Sequence, residues 1–201
     1  MFDRDFWKNF LAINIRPWKV FQGILVKPES YYIWPILLAH SVLTALHRPV
    51  VYPWMDSMSL FAGYILGFFL SILTSVLGFM FLSLIIHRIG KWLGGTGKYQ
   101  EIQAAYVWCY PPLFLSALLD WMIFDATWLK YGIYSAWFVL AAWSFYLELA
   151  NVAQAHKISI WQSLTIQLSI IFVLGLIYFS AEYSGYGEIL NKILMPGIKL
   201  P

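Results

Sequence analysis

The sequence predicts an all-α, polytopic membrane bundle of five transmembrane helices, and three observations point to it. Hydrophobic residues make up 61% of the 201 and charged residues 11%, with a mean hydropathy of +0.68. Soluble domains carry about 25% charged residues, and a water-soluble fold of this length cannot hide so much apolar surface. Five stretches reach the length of about 20 apolar residues that a bilayer core requires: 31–51, 58–86, 102–124, 131–153 and 158–179. The third observation is the uneven placement of basic residues around those stretches.

An odd number of spans puts the termini on opposite sides. Arg4, Lys8, Arg16, Lys19, Lys27, Arg88, Lys91, Lys98 and Lys157 then share one side, leaving Arg48, Lys130, Lys192 and Lys199 on the other. The positive-inside bias places the N-terminus in the cytoplasm and the C-terminus outside. A bacterial cytoplasmic membrane is the expected location, or an endomembrane in a eukaryotic cell. The net charge of +3 is too small to suggest nucleic acid. The single cysteine, Cys109, excludes an internal disulfide framework and a thiolate metal cage.

Residues 1–30 form the first expected unit. Phe6, Trp7, Phe10 and Leu11, then Trp18, Phe21, Ile24 and Leu25, recur at helical spacing with Lys8, Arg16 and Lys19 between them. Pro17 suits the first turn of a second helix. The pattern reads as amphipathic helices in the cytoplasmic interface, basic groups toward anionic lipid; the alternative is a surface for a cytoplasmic protein partner. No compact apolar stretch with a small-residue cleavage site precedes the first span, so that span is expected to stay as a signal anchor. The membrane domain follows over 31–182, and 183–201 is a short external tail.

The second span runs over 58–86 without a formal charge. At about 1.5 Å per residue it reaches about 43 Å, so it tilts or projects beyond the bilayer. Ser59, Gly63, Gly67, Ser71 and Ser75 place a small residue on every fourth position. Such a stripe lets another backbone approach closely, either within the bundle or across a homodimer seam.

Polar residues inside spans are costly and turn toward the bundle interior. Gln103, Tyr106 and Tyr110 on the third span, Glu148 and Asn151 on the fourth, and Gln162 and Thr165 on the fifth form one level toward the cytoplasm. Ser144, Glu148 and Asn151 share a helix face. Glu148 is the one carboxylate well inside a span, and it reads either as a member of a structural network or as a proton or substrate relay. Pro111 and Pro112 remove two backbone donors and bend the third span. The freed carbonyls of Val107 and Trp108 need replacement donors, which tyrosine hydroxyls or amides of the fourth and fifth spans can supply. An outer level holds His40, Thr44 and His47 with Asp120 and Asp125. His40 and His47 stand two turns apart, roughly 10 Å, so a His–Asp hydrogen bond is expected there and no metal ion.

The loop Gly94-Gly95-Thr96-Gly97-Lys98 fails as a phosphate loop, because Trp92 and Tyr99 stand where the motif requires Gly and Ser or Thr. No Ser–His–Asp order, paired carboxylates or HExxH element supports an enzyme, and no cofactor is expected. The same loop carries another signal. Gly94-Gly95-x-Gly97-x-Tyr99, then Tyr106 and Pro111-Pro112, resembles the stretch entering the third span of the Yip-domain family, whose eukaryotic members are Rab (Ypt)-interacting membrane proteins. Trp143, Tyr146, His156 and Ser159 resemble that family's Trp…His-x-x-Ser stretch between the fourth and fifth spans. The resemblance implies a five-span layout and an accessory role: binding small GTPases, shaping membranes or sorting partners. It implies no catalytic residue. Eukaryotic members carry a long hydrophilic N-terminal region, whereas only the stretch 1–30 precedes the first span here, as in a compact, prokaryotic-type member. The expected function is a non-enzymatic membrane scaffold or adaptor, monomeric or homo-oligomeric, with a lipid or protein partner. The alternative is a transporter or channel for an ion, proton or lipid that uses Glu148.

Overall fold

The computed structural model describes residues 4–27, 31–47, 59–120 and 127–183. Every regular element among them is an α-helix: α1 (Arg4–Ala12), α2 (Pro17–Val26), α3 (Ile33–His47), α4 (Leu60–Trp92), α5 (Tyr99–Val107), α6 (Pro111–Asp120), α7 (Thr127–His156) and α8 (Ile160–Tyr183). Among the described residues, four stretches are long and apolar enough to cross a membrane, Phe61–Trp92, Tyr99–Leu119, Tyr131–His156 and Ile160–Ser180, and a further apolar helix, Ile33–Leu46, is shorter. Apart from Tyr183, which ends α8, the expected external tail lies outside the described residues, as does Asp125.

Helix α7 is the hub of the bundle, packing against α2, α5, α6 and α8, while α4 packs against α3, α5 and α8. The third span is the most enclosed: its apolar window is 56% buried, against 22% for α4 and for α8. The continuous core runs through Ile36 and Leu37, Phe79 and Ile86, Ile102 and Trp108, Val152 and Ile166. Trp108 is fully buried, and its indole N–H donates to the carbonyl of Tyr31 (2.9 Å).

Three expectations change. The third span is not one bent helix. It stops at Val107 and restarts at Pro111, because prolines cannot donate the backbone bonds that would continue it but suit a first turn. The first span begins at Ile33 rather than Tyr31, since Tyr31 is tied to Trp108 and Tyr32 adopts a left-handed φ of 45°. Its described part, Ile33–His47, is 15 residues. Helices rise about 1.5 Å per residue, so its length is roughly 22 Å. The second span is longer than expected, at 33 residues. The same rise gives it roughly 50 Å, and it carries its charged end, with Arg88 and Lys91, past the apolar run.

The amphipathic segment does not lie wholly on lipid. Phe6, Ile13, Phe21 and Ile24 are buried in the same core as the spans. Phe6 meets Tyr32 at 5.0 Å and Trp108 at 5.9 Å between ring centroids, and Phe10 meets Phe114 at 5.6 Å. Trp7, Leu11, Ile15, Trp18 and Val26 remain exposed. A helix with one face on protein and another left apolar buries more than the amphipathic pattern alone implies.

Candidate functional site

Two clusters gather the residues singled out in the sequence. The first is a clasp between the loop after α4 and the turn after α7. Helix α4 ends in a Schellman motif: Gly95 N–H donates to Gly90 (2.8 Å), Gly94 N–H donates to Lys91 (3.1 Å), and Gly94 takes φ 86°. Glycine carries no Cβ penalty there, which is why it dominates this cap position. Helix α7 ends the same way. Ile158 N–H donates to Ala153 (2.9 Å) and Lys157 N–H donates to Gln154 (3.2 Å). Lys157 takes φ 57° without glycine's freedom.

The two ends then cap one another. Thr96 N–H donates to the carbonyl of His156 (2.9 Å), and the Gln162 amide donates to the carbonyl of Leu93 (3.3 Å). Ser159 and Gln162 form a capping box at the start of α8. The Gln162 N–H donates to the Ser159 hydroxyl (3.2 Å), and the Ser159 N–H donates to the Gln162 amide oxygen (2.9 Å). His156 is fully buried inside this clasp. A Cβ at Gly90 or Gly95 would overlap its imidazole, and one at Gly97 would overlap the carbonyl of Ala155. His87 stacks on His156 at 5.8 Å and 18°. The Tyr99 hydroxyl donates to Met80 (3.2 Å) and lies 3.3 Å from the Ser83 hydroxyl, fastening α5 to α4.

The second cluster surrounds the break between α5 and α6. A chain break inside a low-dielectric bundle frees carbonyls that water cannot reach. Tyr110 N–H takes up the carbonyl of Val107 in a tight turn (3.1 Å). Two α7 side chains serve two more: the Ser144 hydroxyl donates to the carbonyl of Cys109 (2.7 Å) and the Asn151 amide to that of Ala105 (3.3 Å). The donors therefore come from a hydroxyl and an amide of the fourth span, not from tyrosines. The Cys109 thiol is buried and donates to Tyr106 (2.8 Å). Tyr106 lies between Phe79 (5.7 Å) and Tyr110 (5.9 Å).

Glu148, between Ser144 and Asn151, turns to α8, where the Gln167 amide donates to its carboxyl at 2.7 Å. It stands within electrostatic reach of Tyr106, Cys109 and Tyr110. Gln162 and Thr165 do not join it. Gln162 is spent in the clasp, and Thr165 is exposed with its hydroxyl bonded to Trp161 (3.0 Å). The missed partner had a sequence signal. Ser163, Gln167 and Ile170, the face that α8 buries, recur at i, i+4, i+7. Grouping polar residues by depth rather than by face selected the wrong ones.

Gln103 is buried on α5. Trp143 stacks on Tyr146 (5.1 Å) along α7. His40 does not belong to an outer level, because its ring packs on Tyr110 (4.5 Å) and Phe114 (5.5 Å) beside the break. The side chains of His47 and Asp120 lie outside the described residues, and Thr44 is exposed. No group of three or more potential metal ligands occurs among the described residues. In the small-residue stripe, Gly63, Gly67 and Ser71 are buried and Ser75 is half-buried. Ser59 is instead the cap of α4, its hydroxyl accepting from Ala62 N–H (3.3 Å). The helix starts only at Leu60, which leaves Ser59 in the position that favours such a side chain.

The family model of the Yip1 domain matches residues 10–181, which takes in both clusters and all five spans. The chain belongs to the Yip1-domain family. No curated protein and no solved structure matches it. In this Yip1-domain protein the glycine motif and the His-x-x-Ser motif, distant in the chain, are the two halves of one clasp. The Pro-Pro motif is the restart of a broken span, held open by α7.

Proposed function

We propose that this Yip1-domain protein is a non-enzymatic scaffold of the membrane, with its N-terminus cytoplasmic and its C-terminus outside, that assembles with other transmembrane segments. The observation that carries the reading is the far half of α8. From Ile171 to Phe179 its large apolar residues are exposed around nearly the whole helix: Ile171, Phe172, Val173, Leu174, Leu176, Ile177 and Phe179. A helix apolar all round is normally enclosed by neighbours or lipid, and no side chain from Ile171 to Phe179 is fully buried in this bundle. The polar groups of the break, meanwhile, are engaged in holding it: Ser144, Asn151 and the Gln167–Glu148 pair all face backbone or one another.

A photoreactive residue at Phe172 tests the scaffold. Adducts with a second copy or another membrane protein are expected in native membranes. Lipid adducts alone, at Phe172 and again at Ile177, would sink the reading.

A second reading, a transporter using Glu148, is favoured by one observation. Asn151 Oδ1 and both amide atoms of Gln154, on the same helix as Glu148, are buried without a hydrogen-bond partner. Unpaired buried polar atoms are uncommon in native proteins and each calls for an explanation, a bound or passing polar species being one. Glu148→Gln abolishes flux in proteoliposomes on this reading while leaving the fold intact. Equal flux for the variant and the parent removes it.

A further inference from the structure

A pocket of about 240 Å³ lies between α1 and the spans α3 and α6. Phe6, Trp7, Phe10 and Leu11 form its α1 wall, and Ile36, Ala39, Pro111, Phe114, Leu115 and Leu118 form the wall of the spans. Its single polar liner, Asn14, already donates its amide to the carbonyl of Phe10 (3.1 Å). A cavity with such walls is not a place for water: apolar cavities of comparable size stay dry and take up hydrocarbon. Trp7 is 53% exposed, Leu115 52% and Leu118 53%, so the pocket opens sideways rather than sealing inside the core.

Helix α1 also carries the cations that a lipid headgroup needs. Arg4, Lys8 and Leu11 follow one another at i, i+4, i+7 along α1, so two exposed cations stand in line with a residue that lines the pocket. Asp5 is the acidic residue of that helix and sits in its first turn, where it complements the helix dipole. A phosphate engaged by Arg4 and Lys8 lies within about two helical turns of Leu11, which lines the pocket. Amphipathic helices at a membrane surface place their cations and apolar face in this relation to anionic lipid.

We propose that this pocket binds one acyl chain of an anionic phospholipid, whose phosphate is held by Arg4 and Lys8. The site is separate from the far half of α8, and its failure would leave the scaffold reading untouched. Binding one lipid at the junction of α1, α3 and α6 locks the amphipathic helix to the broken span through Phe6–Trp108 and Phe10–Phe114.

Native mass spectrometry of the full chain in mild detergent tests it, with phosphatidylglycerol and phosphatidylcholine of matched chains as probes. One retained phosphatidylglycerol per chain is expected, bound tighter than phosphatidylcholine. Ala39→Phe projects a ring into the pocket from an exposed position. It should cut retention of both lipids about tenfold, equivalent to the burial energy of one apolar side chain, without lowering the melting temperature. Leu118→Trp, from α6 on the same wall of the spans, serves as the second filling variant. Arg4→Glu with Lys8→Glu should keep one bound lipid and abolish the preference for phosphatidylglycerol. Unchanged retention in both filling variants overturns the proposal. So does equal binding of the two lipids by the parent chain, or loss of a dimer rather than of lipid in Ala39→Phe.

Discussion

The imidazole of His156 occupies the space that a side chain at Gly95 would need. The two residues belong to different motifs, and their contact joins the end of α4 to the end of α7. Gly95→Ala therefore cannot be accommodated without moving a buried ring, and close-packed interiors resist such overpacking by about 1–3 kcal/mol. The expected outcome is a lower melting temperature in detergent for Gly95→Ala, and a smaller drop when Gly95→Ala is added to His156→Ala than to the parent chain, the remainder coming from the carbonyl of Gly90 that the added Cβ also meets. A double-mutant cycle with no coupling would show that the ring does not hold the loop.

Each helix end in the clasp makes an opposite prediction about glycine. Gly94 and Lys157 occupy the same left-handed cap position, at φ 86° and 57°. Replacing Lys157 by Gly should stabilise the protein by about 1 kcal/mol, the order of the left-handed penalty for residues with a Cβ. Gly94→Ala should cost a similar amount. Chemical or thermal unfolding of both variants decides the matter, and opposite signs are required.

Ser144 and Asn151 hold the carbonyls that the broken span exposes. Interhelical hydrogen bonds in membranes average about 0.6 kcal/mol and reach about 1.7 kcal/mol. The break lies inside the bundle, so its carbonyls have no lipid-exposed or aqueous alternative, and the upper end applies. Ser144→Ala and Asn151→Ala should each cost about 1–2 kcal/mol. Unfolding in a controlled detergent-denaturant titration measures it, and two neutral variants would mean that the carbonyls find other partners.

Pro111 opens α6 and does not interrupt a helix. Its missing N–H lies where a first turn leaves one unused. Pro111→Ala should consequently cost stability and not gain it, by about 1 kcal/mol through the unfolded chain with a further loss from the buried ring. A gain of about 3 kcal/mol, the cost of proline within a helix interior, would restore the picture of a kinked continuous span.

Gln167 is the donor to Glu148. Removing it as Gln167→Leu leaves a buried carboxyl without its partner and should destabilise by about 1–3 kcal/mol, whereas Gln162→Leu should act on the clasp. Thr165→Val, on an exposed face, should be silent. Ranking the three by melting temperature separates grouping by depth from grouping by face.

Much of this protein is readable from composition and periodicity. Lipid as solvent, five apolar stretches and an amphipathic lead-in follow from counts of apolar residues and from cations placed at intervals, because hydrophobic length and helical period are local properties. The glycines, the paired prolines and His156 also stand out in the chain. Which of them touch was not local. The i, i+4, i+7 rule puts Ser144, Glu148 and Asn151 on one face of α7, yet only packing sends Ser144 and Asn151 to the broken span and Glu148 to Gln167. Proline chemistry announces a disturbance near Pro111, but the outcome was a clean stop and restart, since α7 offered donors at the right height. Gly90 and Gly95 acquire a purpose only when His156 arrives from another helix to fill the space they leave. Backbone preference is written residue by residue; the close approach of two helices is set by the whole bundle at once.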